Sequence, residues 1–151
     1  MDVGDIVEDF VLADDEGTER SLSGLLEGGP VVLFFYPAAL SPGCTMEACH
    51  FRDMTAELRA AGGQPVGVSG DAIERQAEFS AKHSLGYPLL SDADGKVREM
   101  FGVNRSFGLP RRMTFVIDTD RRIIAVIKAE IRMSVHADKA LTALQQRARP
   151  A

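Results

Sequence analysis

The run Val31-Val32-Leu33-Phe34-Phe35-Tyr36 carries no charged side chain at odd or even positions. A strand made of it has no face for water and must be covered on both sides. Pro37 stops the run, and Ser41-Pro42-Gly43 then leads into a helical stretch that begins with Cys44. Whatever this chain folds into must therefore place a cysteine at a helix start, just beyond the end of a buried central strand.

The remaining pattern supplies the layers. Phe10-Val11-Leu12, the polar Asp14-Asp15-Glu16-Gly17 and Thr18 to Leu22 predict an N-terminal hairpin, and Ser21 to Leu26 a turn or two of helix before Gly28-Gly29. The helix from Cys44 is expected to reach about Ala61, with Met46, Phe51, Met54 and Leu58 as its apolar positions and Gly62-Gly63 closing it. Val66 to Ser69 predicts a second buried strand. Asp71 and Glu74 form a capping box for a helix to about His83. Pro88-Leu89-Leu90 reads as a strand and Gly95 to Phe101 as a short helix. Met113 to Ile117 and Arg122 to Ile127 form a second hairpin, and a helix from Val135 to Arg147 ends the pattern. Helices around a central mixed β-sheet follow, an α/β arrangement that fits a thioredoxin-like fold.

Length and charge narrow the function. At 151 residues, 45% of them apolar, one domain over residues 1–151 is expected. A net charge of −5, with scattered Lys and Arg, argues against nucleic-acid binding, which rests on clustered cations. The acidic N-terminus is unlike a signal peptide, and the longest apolar run falls far short of the roughly 20 residues that span a bilayer. A cytoplasmic location without a membrane partner is the expectation. There, two cysteines are more often reactive or ligating than structural.

A helix N-terminus presents unpaired N–H groups and positive potential, which favours the thiolate, the nucleophilic form of cysteine. Pro42 has no N–H to leave unpaired, Gly43 allows close approach to the sulfur, and the Ser41 hydroxyl lies within reach of it. Cys49 stands five residues on. On one continuous helix the two Cα atoms would lie roughly 8–9 Å apart, beyond disulfide range, so the helix between them must unwind before the sulfurs can join. Spacing by itself leaves redox chemistry and a pair of small buried side chains both open. Zinc would need a second ligand pair beside Cys44, Cys49 and His50. His83 and His136 read as surface or helix-end residues. C-x-x-C is absent.

The segment Phe35-Tyr36-Pro37-Ala38-Ala39-Leu40-Ser41-Pro42-Gly43-Cys44-Thr45-Met46-Glu47-Ala48-Cys49-His50-Phe51-Arg52-Asp53 closely resembles the active-site segment of peroxiredoxins, most of all the bacterioferritin comigratory protein or PrxQ subfamily. Pro37, Ser41 and Cys44 meet the family's Pro, Thr or Ser, and Cys pattern, and Cys49 meets the subfamily's resolving cysteine. Val3-Gly4-Asp5, Tyr87 to Asp92 and Arg112 to Asp118 are similar to further family landmarks, so the resemblance runs nearly the whole length.

The resemblance implies a thiol peroxidase that reduces hydrogen peroxide and organic hydroperoxides. Cys44 becomes a sulfenic acid, Cys49 condenses with it to an intramolecular disulfide, and a thioredoxin-like protein reduces that bond. Arg112, with Arg111 its nearest competitor, and Ser41 would hold the peroxide, with Pro37 and Gly43 shaping the pocket. Glu47 either orients Arg112 or simply favours the helix dipole. Arg52 and Asp53 read as an orienting pair. No metal, haem or flavin is implied, and the subfamily suggests a monomer or weak homodimer. Ala38, Ala39 and Leu40 replace the family's charged residues, which suggests bulkier organic hydroperoxides, and the Gly102–Arg112 connection is short. A protein thiol–disulfide oxidoreductase and a non-enzymatic binding module remain rivals. The peroxidase reading requires that residue 44 not be deeply shielded and that a guanidinium lie beside it.

Overall fold

In the computed structural model, which describes residues 1–104 and 111–148, the apolar run forms β3 (Val31–Phe35), with every residue buried. Its side chains alternate between two cores. Val31, Leu33 and Phe35 enter one, with Val66, Phe101 and Phe115; Val32 and Phe34 enter the other, with Cys44, Phe51 and Leu144. A strand two-sided in sequence is two-sided in space.

Around it lie β1 (Val11–Asp14), β2 (Glu19–Ser21), β4 (Gln64–Ser69), β5 (Leu89–Ser91), β6 (Met113–Ile117) and β7 (Ile123–Lys128). They form one seven-stranded sheet in the order β2-β1-β5-β4-β3-β6-β7. β3, β4 and β5 pair in parallel, whereas β6 runs antiparallel to β3, β7 antiparallel to β6, and β1 antiparallel to both β2 and β5. Both predicted hairpins form. The helices are α1 (Leu22–Leu26), α2 (Pro42–Asp53), α3 (Thr55–Ala60), α4 (Ile73–His83), α5 (Lys96–Phe101) and α6 (Ser134–Ala148). Among the described residues no helix is long and apolar enough to cross a membrane. Residues 105–110, which make up most of the connection before Arg112, lie outside the described residues, as does Arg149.

Three expectations are corrected. The helix from Cys44 does not run unbroken to Ala61: it breaks at Met54 (φ −99°, ψ 4°), where the Thr55 hydroxyl donates to the Phe51 carbonyl at 2.9 Å. A hydroxyl taking a carbonyl one turn back bends a helix. Met46 is 65% exposed, so the apolar stripe of α2 is Cys44, Ala48 and Phe51. Asp71 does not cap α4, whose N-cap is Ala72 with no side-chain bond. Its carboxylate instead accepts from the Ala39 amide at 2.7 Å and the Ser69 hydroxyl at 2.6 Å. Asp71 thus fastens the loop before Cys44 to the end of β4.

Candidate active site

The site sits where that loop enters α2. Ser41 is the N-cap residue, its hydroxyl donating to the Ala38 carbonyl at 2.8 Å, and Pro42 occupies the first turn, where a missing N–H costs nothing. The Ser41 oxygen keeps lone pairs free to accept, although it is turned back into its own loop. Pro37 and Ala38 are half-buried, and Ala39 is buried. Leu40 has φ +67°, a left-handed conformation that costs a residue with a side chain about 1–2 kcal/mol.

Cys44, two residues after Pro42, faces Arg112 at the threshold of β6. The guanidinium Nη2 donates to Cys44 Sγ at 3.3 Å while Nη1 donates to Glu47 Oε1 at 2.9 Å. One planar cation therefore bridges the sulfur and a carboxyl one helical turn along. Arg111, the competitor for this position, is exposed. Gly43 makes the approach possible: a Cβ there would stand 3.3 Å from Arg112 Nη2 and 3.5 Å from the Met133 Cε methyl. Arg112 is held from behind as well, its backbone N–H donating to Glu130 at 3.2 Å, and its Nε is a buried N–H with no partner among the described residues.

The sequence requirement of a nearby guanidinium is met, but that of an unshielded residue is not. Cys44 is only 1% exposed. Its side of α2 turns into the core that Val32, Phe34 and Phe51 fill, with Leu40 packed beside it. A reagent must displace rim side chains to reach the sulfur.

Cys49 is half-buried on the same unbroken helix, and both cysteines are free thiols. The helix is pinned beyond the first turn. The buried Tyr87 hydroxyl donates to the Ala48 carbonyl at 2.7 Å, and the Phe51 ring stacks on Phe34 with centroids 4.2 Å apart. Arg52 pairs with Asp53 at 2.9 Å and donates to the His83 carbonyl at 2.8 Å, tying α2 to the end of α4. These two residues brace the scaffold and do not touch the sulfur's partners.

Glu47 is fully buried. Desolvation pushes its carboxyl up to about 8, although Arg112 pulls in the opposite direction. The dipole alternative for Glu47 is thus the weaker one: its carboxyl is turned inward onto Arg112. A raised acid gives the folded state extra proton affinity. The associated stability is complete below about 4.5, the ordinary value, and is lost as pH climbs towards 8. The urea midpoint is therefore expected to fall more steeply between pH 5 and 8 in the wild type than in Glu47→Gln. Parallel slopes for the two proteins would show that Glu47 does not titrate in this window.

His136 is a helix-end residue, as the sequence suggested, but not a surface one. It is fully buried beside Glu47, with its Nε2 3.4 Å from Glu47 Oε2. The signal was present, since residues 136, 140 and 144 follow one i, i+4 stripe with Ala140 and Leu144 at its other two positions, both buried.

Residues 3–126 match the family model described as the AhpC/TSA family. The chain is 43% identical over 138 residues to the chloroplastic peroxiredoxin Q of Sedum lineare, covering 90% of this chain and 74% of that one. It superimposes on the peroxidoxin BcpB of Mycobacterium tuberculosis with a TM-score of 0.93 at 52% identity, over 99% of each chain. The bacterioferritin comigratory protein of Xanthomonas campestris, studied for its alkyl peroxide reduction activity, gives a TM-score of 0.85 at 29% identity, over 93% of this chain and 92% of that one.

Proposed function

The chain belongs to the AhpC/TSA family and is a peroxiredoxin of the PrxQ kind, and from that premise we propose that Cys44 is its peroxide-reactive sulfur and Cys49 its resolving one. A peroxiredoxin is a thiol peroxidase; the steps assigned to these residues are our reading. The observation that carries it is the Arg112 guanidinium, 3.3 Å from Cys44 Sγ. A fixed cation beside sulfur favours the thiolate.

In the proposed first step, the Cys44 thiolate attacks the terminal oxygen of the peroxide. The S–O bond forms, the O–O bond breaks, and an alkoxide or hydroxide departs and takes up a proton. The Arg112 guanidinium, whose Nη2 lies 3.3 Å from Sγ and whose Nε–H has no partner among the described residues, is a donor for the oxygen on which charge develops, and Ser41 Oγ can accept from the peroxide hydroxyl. Pro37 and Gly43 shape the approach. Ala38, Ala39 and Leu40, with the Met133 methyl near Gly43, give it an apolar rim that suits organic hydroperoxides as well as hydrogen peroxide.

In the second step, the first turns of α2 unwind, the Cys49 thiol attacks the Cys44 sulfenic acid, and water leaves as the disulfide closes. A thioredoxin-like protein then reduces it, completing an atypical two-cysteine cycle within the single domain of residues 1–151. Sulfur chemistry suffices, with no cofactor, in a cytoplasmic monomer or weak homodimer. Because Cys44 is shielded, the cycle also requires the rim to open for the peroxide.

Intact mass after one equivalent of peroxide tests the cycle. Wild type is expected to lose two hydrogens, and Cys49→Ser to gain one oxygen. Unchanged mass in both would defeat the assignment. A protein disulfide oxidoreductase on the same scaffold would have no use for Arg112.

A further inference from the structure

His136 has no part in the steps above, yet its surroundings are fully specified. The ring Nε2 lies 2.8 Å from the Ala129 carbonyl, and a carbonyl only accepts, so Nε2 carries a hydrogen. Burial pushes the imidazole below its ordinary value, which leaves the ring neutral at neutral pH. Nδ1 is then an acceptor, and the Thr114 hydroxyl, 2.8 Å away, donates to it. The tautomer is fixed from both sides. The Nε2–H edge also stands 3.4 Å from Glu47 Oε2, a buried oxygen with no hydrogen-bond partner among the described residues. Glu47 Oε1 meets Arg112 Nη1, and Arg112 Nη2 meets the sulfur. One line of side chains thus joins Thr114 on β6, His136 on α6, Glu47 on α2, Arg112 and Cys44.

We propose that His136 is a positioning residue for the peroxidase reaction, acting through Glu47 and Arg112 to set how much of the guanidinium charge is left for the sulfur. This rests on Cys44 being the peroxide-reactive residue. While Glu47 is neutral, Arg112 faces one anion, the thiolate. Once Glu47 ionises, the same cation is shared between two anions, and less of it stabilises charge at the reacting oxygens. The Nε2–H is directed at the Ala129 carbonyl, and its positive end lies beside Oε2, 3.4 Å from the nitrogen, where it favours the carboxylate. His136 therefore fixes the pH at which sharing begins.

Other groups also face this pair. Arg112 is held above its ordinary value by Glu47 and Cys44 against the opposing effect of burial, so it stays cationic. Tyr87, from the segment before β5, is pushed well above its ordinary value by burial and stays neutral. Glu130, which follows β7, adds negative potential to both Glu47 and His136 and accepts from the Arg112 amide. Glu47 is the group that changes charge near 8.

The test is the second-order rate of Cys44 oxidation by peroxide from about pH 5.5 to 9.5, in wild type, Glu47→Gln, His136→Leu and His136→Gln. Wild type is expected to show a fall in rate centred near 8, and Glu47→Gln to lack it. His136→Leu should move the fall upward by about one unit, a tenfold change in proton affinity. His136→Gln, which keeps a side-chain N–H, should restore it. A purely structural role would lower the rate at every pH without moving the midpoint, and that outcome overturns the proposal. If His136→Leu does not fold, imidazole nitrogen resonances in wild type and Glu47→Gln decide. The His136 Nε2 signal should respond at the Glu47 midpoint in wild type and stay flat in the variant. A flat wild-type signal also overturns the proposal. The resonance measurement needs no peroxide, so its outcome is independent of whether Cys44 is the reactive sulfur.

Discussion

Cys44→Ser is expected to abolish peroxide consumption, a loss on the order of 10⁴-fold or more, since the proposed nucleophile is removed. A serine hydroxyl is not ionised beside one guanidinium at neutral pH, and the attack depends on an anion. The substitution is nearly isosteric in a fully packed position, so the sheet and α2 should survive it, and an unchanged circular dichroism spectrum is the control. Cys49→Ser behaves differently. It should keep a full first turnover and lose only recycling through the disulfide. Residual steady-state peroxidase activity in Cys44→Ser above that of an unrelated thiol protein would remove Cys44 from the centre of the chemistry.

Arg112→Met is the second large effect, expected to lower the rate of peroxide reduction on the order of 10²–10³-fold, as when one donor to a developing oxyanion is lost. The methionine fills part of the volume but supplies neither charge nor N–H. Breaking a buried ion pair ordinarily costs about 3–5 kcal/mol of stability because a charge is left alone. Here the cost should be smaller at pH 7, because burial already lets Glu47 keep its proton up to about 8. A large rate loss with a modest shift in melting temperature is thus the expected signature. Arg112→Lys should rescue little, since a single ammonium cannot span Cys44 and Glu47 as the planar fork does. If Arg112→Met reduced peroxide at the wild-type rate, the guanidinium would be a fold element and the rival disulfide-exchange function would move ahead.

The central strand was legible because its residues leave no polar side, and the two cores it separates follow from alternation alone. Cys44, Glu47 and Arg112 were legible as a resemblance, since the proline-to-cysteine spacing is long and specific. The contact between Cys44 and Arg112 joins residues 68 positions apart, and no local pattern predicts it. Asp71 and His136 were misread for related reasons. An acidic residue three before another acid looks like a cap until a distant amide, Ala39, competes for it. A histidine near a helix start looks exposed until tertiary packing buries it between a carbonyl and a hydroxyl. The shielding of Cys44 is likewise a property of how a helix docks, which composition does not encode.

The Tyr87 hydroxyl on the Ala48 carbonyl divides α2 into unequal parts. Ahead of it lies a proline-led turn secured mainly by Arg112 and Glu47; behind it the helix is clamped by an aromatic stack and by Arg52. Fraying that starts at the proline runs out at the tyrosine. In the proposed cycle residue 44 would then be the traveller and residue 49 the mooring, and a reductant would meet the disulfide at the end that stays in place.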